Sequence, residues 1–278
     1  MGVGVGISRW SMDLIKRIKF REITIARICN FVARKINYVM IFVRYRLTSK
    51  ARWQETSFAG AYEGQALLLV CNGPSLREND LPAILNSYDG MKVMTMNRAY
   101  IAFDSLGLHP DFHVAINDLV LQQYHDALVG LSCHKFYKFG VSAMLDKDPS
   151  VSSLLVKENI NDIFCTNIVD GVTSGGTVTY VCLQLAYYLG FQTVVIVGMD
   201  HKFEAKGIPN ETEERKGADD GNHFHPNYFP AGSLWQLPDL QRSELAYERA
   251  RGVFEAAERK ILDCTVAGNC NIFEKVKV

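Results

Sequence analysis

The chain has 278 residues, 48 % of them hydrophobic, and thirty Lys or Arg are matched by thirty Asp or Glu. That length is enough to bury a sizeable core, and a formal net charge of zero gives no reason to expect a nucleic-acid partner. The neutrality is a cancellation: residues 1–52 hold twelve Lys or Arg and two Asp or Glu, whereas residues 53–278 hold eighteen and twenty-eight.

In chain order, the basic segment comes first. Over residues 1–55, Ile15, Ile18, Phe20, Ile28 and Val32 are mixed with Lys16, Arg17, Lys19, Arg27 and Arg34. No stretch approaches the roughly 18 uncharged residues of a spanning helix, and charges interrupt every candidate signal-peptide core. The pattern predicts one or two amphipathic helices lying on the anionic, cytoplasmic face of a membrane. Helices that pack on the rest of the chain, or that join copies into a homo-oligomer, would show the same pattern.

Residues 56–278 have the pattern of a catalytic domain. The run Ala66 to Cys71 is too short for a helix and too continuous for a half-exposed strand, so it predicts a parallel strand covered on both faces. Asn72-Gly73-Pro74-Ser75 follows at its carboxyl end, where open α/β sheets bind ligands and a helix N-terminus favours phosphate. Further strands are expected over residues 91–96, 112–116, 134–139, 163–167 and 193–197. Helices are expected over 119–128 and 176–189, the second stopped by Gly190. Pro238-Asp239 starts a final helix with Ala250, Val253, Phe254, Ala257 and Ile261 on one face. The alternation predicts an α/β fold, a Rossmann-like, mostly parallel sheet with helices on both faces.

Residues 204–222 combine four glycines or prolines with six carboxylates and few apolar residues. They predict a mobile loop, either an active-site lid or a solvated insertion. Seven cysteines show no CxxC pair, which fits buried free thiols in a reducing compartment rather than a metal cluster.

The sequence Asn72-Gly73-Pro74-Ser75-Leu76 after a first strand resembles the bacterial sialyltransferases of glycosyltransferase family 42 and the related hydroxymethylpterin diphosphokinase-like proteins. The resemblance continues through Met96-Asn97-Arg98, Val114 to Asn117, Thr173-Ser174-Gly175, Val197 to Asp200 and Asn222-His223-Phe224-His225, in the family's order. It implies a GT-A-like variant of the fold, with a lid over donor and acceptor. The implied activity is inverting transfer of a nonulosonic-acid sugar from a CMP-sugar donor to a cell-surface glycan or lipid-linked acceptor, with no obligatory cofactor or metal.

Such transfer needs a nucleotide pocket, a base for the acceptor hydroxyl and a way to offset charge on the departing phosphate. Asn72, Gly73, Pro74 and Ser75 suit the pocket. Asn97 and Asn117 each follow a strand, and the resemblance implies that both contact the cytidine nucleotide, although Asn97 also suits a turn-forming Asx residue. Thr173, Ser174 and Gly175 stand where a helix N-terminus could meet the phosphate or the sugar carboxylate. His201-Lys202-Phe203 replaces the aromatic residues that the family carries after Asp200, and Lys202 suits charge stabilisation.

His is the side chain whose ordinary pKa suits a base near neutrality, and the spacing leaves His223 and His225 both open. Pro226 holds its predecessor extended, which favours His225. Asp200 is the next candidate. Two histidines at i, i+2 without an evident third ligand point away from a metal. A magnesium-dependent ATP:pterin-type diphosphokinase with Asp200 on the metal is the alternative from the same resemblance. A non-catalytic nucleotide-binding scaffold of envelope polysaccharide assembly is the alternative from another class.

Overall fold

The computed structural model describes residues 9–48, 58–157, 161–203, 207–217 and 220–277. The chain divides into two units, Met1–Arg46 and Leu47–Val278. Among the described residues of the basic segment there is one helix, Arg9–Thr48, where the sequence left one or two open. No Pro or Gly falls within it to break the hydrogen-bond ladder. Among the described residues no helix is long and apolar enough to cross a membrane.

The second unit is an α/β fold. Its strands in chain order are β1 Ala66–Val70, β2 Lys92–Met96, β3 Phe112–Ala115, β4 His134–Lys138, β5 Val151–Leu154 and β6 Val156–Lys157. They continue with β7 Val172–Thr173, β8 Thr193–Val197, β9 Thr212–Glu214, β10 Leu234–Gln236, β11 Lys260–Asp263 and β12 Glu274–Lys275. Eight of them form one sheet in the order β12-β11-β8-β1-β2-β3-β4-β5, every pairing parallel. All five residues of β1 are buried, as an unpunctuated apolar run in a central parallel strand requires.

The order contains the feature that makes a ligand site. From β1 the sheet grows through β2, β3, β4 and β5 in one direction, and the chain then returns to lay β8 on the other side of β1. Loops leaving the carboxyl ends of β1 and β8 diverge at this switch point and leave a crevice between them.

The helix Val178–Leu189 delivers the chain into β8. Its N-cap is Thr177, whose side chain accepts from the Thr179 N–H, and Gly190 closes it at φ 100°. Asp239 caps the helix Leu240–Ala256 in the same way, accepting from the Arg242 N–H. Both ends stand where the sequence placed their stop and start signals.

Four local expectations differ from the structure. Residues 163–167 form no strand. Phe164 instead packs edge-on against Tyr180, Tyr187 and Phe254 of the two long helices, and the outer sheet position goes to β5, whose Ser152 and Ser153 masked it in the sequence. Ile261 lies in β11 rather than on the final helix, which ends at Ala256 before Glu258 turns at φ 58°. The helix expected over 119–128 is two short ones, Asp118–Gln123 and His125–Val129, with Tyr124 between them outside helical geometry. The segment 204–222 is not structureless: β9 pairs antiparallel with β10, burying Trp235, and Asp220 and Asn222 are buried. Glu204 and Asp219 lie outside the described residues.

All seven thiols are free, with Cys71, Cys133, Cys182, Cys264 and Cys270 buried. Burial pushes the Cys71 thiol up to about 12, which suits an inert core side chain.

Candidate functional site

The site is built on the carboxyl ends of β1, β2 and β8. After β1 the chain passes Cys71, Asn72 and Gly73, and the Gly73 N–H donates to the Gly198 carbonyl at 2.8 Å, joining the two switch-point loops. Asp200 strengthens that joint. It accepts from the Ser75 hydroxyl at 2.7 Å and from the Ser75 N–H at 3.2 Å. A Cβ on Gly73 would fall on the Asp200 carboxylate and the Gly198 carbonyl, so glycine is required there by the close approach of backbone.

A cleft of about 170 Å³ opens over this joint. Its walls include Asn72, Gly73, Asn97, Gly176, Thr177, Asp200, Lys202 and His223. A second space of about 350 Å³ adjoins it, lined by Asn117, Ser174, Trp235, Gln236 and Arg242. Asn97, Gly176, Thr177, Val178, Phe203, His223 and Pro238 border both, so the two are lobes of one cleft and His223 stands at their junction.

Two buried acceptors border the first lobe with no partner among the described residues: the Oδ1 atoms of Asn72 and Asn97. Asn72 is oriented by its Nδ2, which donates to the Met96 carbonyl at 3.3 Å, so turning the amide over would set oxygen against oxygen. Asn97 is held at φ 51° by its backbone. Its N–H donates to Val114 O, and its carbonyl lies 2.9 Å from His113 Nε2. Thr95 Oγ1 lies 2.8 Å from the other ring nitrogen, Nδ1. Burial holds His113 neutral and takes its pKa from 6.5 down to about 3, against the opposing pull of the Asn97 carbonyl. A neutral ring therefore donates from Nε2 to Asn97 and accepts the threonine hydroxyl at Nδ1. Unpaired buried carbonyls are costly, and these two stand ready to accept from donors of a ligand.

The helix N-terminus reaches the cleft through Gly176 and Thr177, two positions after the expected motif. Of Thr173, Ser174 and Gly175, Ser174 borders the second lobe. Thr173 is buried with its hydroxyl donating to Ile163 O, and the Gly175 N–H donates to Asp162 Oδ1. Arg242 grips the same carboxylate with two bonds of 2.6 and 2.8 Å, so a nearly buried Asp162 holds the loop that presents Ser174 and Gly176. Asn117 is the N-cap of Asp118–Gln123, accepting from Leu119 N–H and Val120 N–H, and its Nδ2 donates to Gln236 in the second lobe. Pro74 and Ser75 form the supporting turn rather than a wall.

The two histidines of the loop have different surroundings. His223 stacks on Tyr228 with ring centroids 4.0 Å apart and planes 4° from parallel. Its Nδ1 lies 2.8 Å from Asp220 Oδ2. Burial raises the Asp220 carboxyl, but the bond and charge of His223, with Arg215 and the Asn222 N–H, take it below its ordinary value. A buried carboxylate on Nδ1 fixes the tautomer and leaves the lone pair on Nε2. His225 lies outside both lobes, and its Nδ1 accepts the Asn227 N–H. Asp162 and Arg242 escaped sequence reasoning because they pair across 80 residues, and Asp220 and Tyr228 because nothing local shows that their side chains meet the His223 ring.

Residues 48–206, more than half of the chain, match the model of the family described as 6-hydroxymethylpterin diphosphokinase MptE-like. No curated protein matches the chain. Among solved structures, the MAf glycosyltransferase from Magnetospirillum magneticum AMB-1 is similar at 15% identity and a TM-score of 0.48, over 82% of this chain and 37% of that one. Of the two groups that the motifs resemble, the family match is to the diphosphokinase-like one. Strands β1 to β8 and both loops of the switch point fall inside the matched segment, and the chain belongs to the MptE-like family.

Proposed function

We propose that the protein is a sialyltransferase-like glycosyltransferase that moves a nonulosonic-acid sugar from a CMP-sugar to a glycan or lipid-linked acceptor, with His223 as general base. The observation that carries this reading is the position of His223. It stands between a lobe with nucleoside-type acceptors and a lobe walled by Trp235, Gln236 and Ser174, with Nδ1 tied to Asp220. In the first lobe, Asn72 and Asn97 accept from the ribose or the cytosine amino group. Gly176 and Thr177, at the start of a twelve-residue helix, and Lys202 meet the phosphate.

The acceptor hydroxyl gives its proton to His223 Nε2 as its oxygen bonds to the anomeric carbon. The bond from that carbon to the phosphate oxygen breaks on the opposite face, and CMP departs with the electron pair. Asp220 then stabilises the imidazolium. No step needs a metal.

The family match favours a second reading, a magnesium-dependent diphosphokinase acting on a pterin-type alcohol. Asp200 would be its metal ligand, although both carboxylate oxygens already accept from Ser75. Among the described residues no three His, Cys, Asp or Glu side chains are grouped to hold a metal ion.

Thermal denaturation separates the readings, because a ligand that binds only the native state stabilises it by mass action. CMP at about 100 times its dissociation constant should add about 2.7 kcal/mol without divalent metal. A response confined to ATP with magnesium would overturn the glycosyltransferase reading.

A further inference from the structure

We infer that the helix Arg9–Thr48 is a docking face for an anionic lipid surface, lying in the interface with its apolar side inward. Ile25, Ile28, Val32, Ile36, Val39 and Val43 follow one another at spacings of three or four, so they share one stripe of the helix. Each is between 46% and 59% exposed. Phe31 and Met40, also exposed, widen the stripe to about half the circumference at about 100° per residue. That is broader than the two-in-seven seam of a coiled coil and fits a helix embedded along its length in a head-group boundary.

Charge selects the occupant. Residues 23–54 contain seven Lys or Arg and no Asp or Glu. Two copies paired along this stripe would have to bury Lys35 and Arg46, which lie on its side of the helix, with no carboxylate from residues 23–54 to answer them. Phosphate head groups supply the missing negative charge. Arg27 and Arg34 lie on the side opposite the stripe, and Lys35 lies within the widened stripe, between Phe31 and Ile28 around the helix, with its ammonium 5.6 Å from the Phe31 ring centroid, an arrangement in which the stem covers apolar surface while the charge reaches head groups. Among the described residues no helix can cross the bilayer, so the contact is made on one leaflet.

The test is sedimentation of the full chain with vesicles of equal phosphatidylcholine and phosphatidylserine, and with vesicles of phosphatidylcholine alone. The chain should pellet with the first and stay in solution with the second, and pelleting should fall as salt is raised. Arg27→Gln/Arg34→Gln/Lys35→Gln keeps the stripe and should lower partitioning about fivefold or more, since each basic residue near such a surface contributes about a factor of five and Lys35 lies on the stripe's side. Ile36→Asp/Val39→Asp keeps every cation and should abolish pelleting, with helical circular dichroism confirming that the helix persists. Equal pelleting on both vesicle types would overturn the inference. So would a chain that ignores both and forms a discrete oligomer that Ile36→Asp/Val39→Asp disperses, which would make the stripe an interface between copies.

Discussion

His113 and His223 are the same side chain in two kinds of surroundings, and the contrast separates positioning from reactivity. His113 lies inside the sheet with both ring nitrogens occupied, one by Thr95 and one by the Asn97 carbonyl. It is fully buried and held neutral, so it can fix Asn97 in a left-handed backbone but cannot exchange a proton near neutral pH. His223 sits in a loop, half-buried, with one nitrogen on a buried carboxylate and its ring bordering both lobes. Burial without a counter-charge makes a histidine a strut. Pairing with Asp220 at the edge of a cleft gives it the surroundings of the proposed base.

The largest effect that would test this contrast is acid destabilisation through His113. Its folded pKa of about 3 lies below the unfolded value of 6.5, so the unfolded chain takes up the proton first. The contribution is therefore intact above pH 6.5 and is lost as pH falls toward 3. The loss from this group alone is on the order of 4 kcal/mol. In urea titrations, His113→Gln should flatten the dependence of stability on pH across that window. An unchanged slope would mean that the ring is not held neutral by burial.

At His223 the contrast is read in turnover rather than stability. His223→Ala should lower turnover about 100-fold or more with CMP affinity within about twofold, the usual size of a general-base contribution. Asp220→Asn should lower it about 10-fold by releasing the tautomer. Turnover with donor and acceptor, set beside CMP titration, checks both variants. Equal losses of affinity and turnover would make His223 a wall of the pocket instead of a base.

The smallest effect is expected at His225, whose Nδ1 serves only its own turn. His225→Ala should leave turnover within about twofold and stability within about 0.5 kcal/mol, as for a surface change away from the site. A loss comparable to that of His223→Ala would reverse the roles of the two.

The sequence alone determined the α/β fold, four of the parallel strands that follow β1, both capped ends of the long helices, and the place of the cleft. These depend on local chemistry. Apolar runs stop at turns, Gly190 and Asp239 cap helices through near neighbours, and Asn72-Gly73 sits at a strand end by chain order. The tertiary structure decided everything that depends on distant pairs. Ser152 and Ser153 enter the sheet because β4 pairs with β5, while Phe164 packs instead on the two long helices. The joint of Gly73 to Gly198 and of Ser75 to Asp200 crosses 125 residues, and Arg242 reaches back 80 to Asp162. The choice between His223 and His225 rested on Asp220, Tyr228 and the direction of the loop. Two histidines two residues apart look alike in a sequence. They come to differ only when folding gives one a carboxylate and a cleft and leaves the other in a turn.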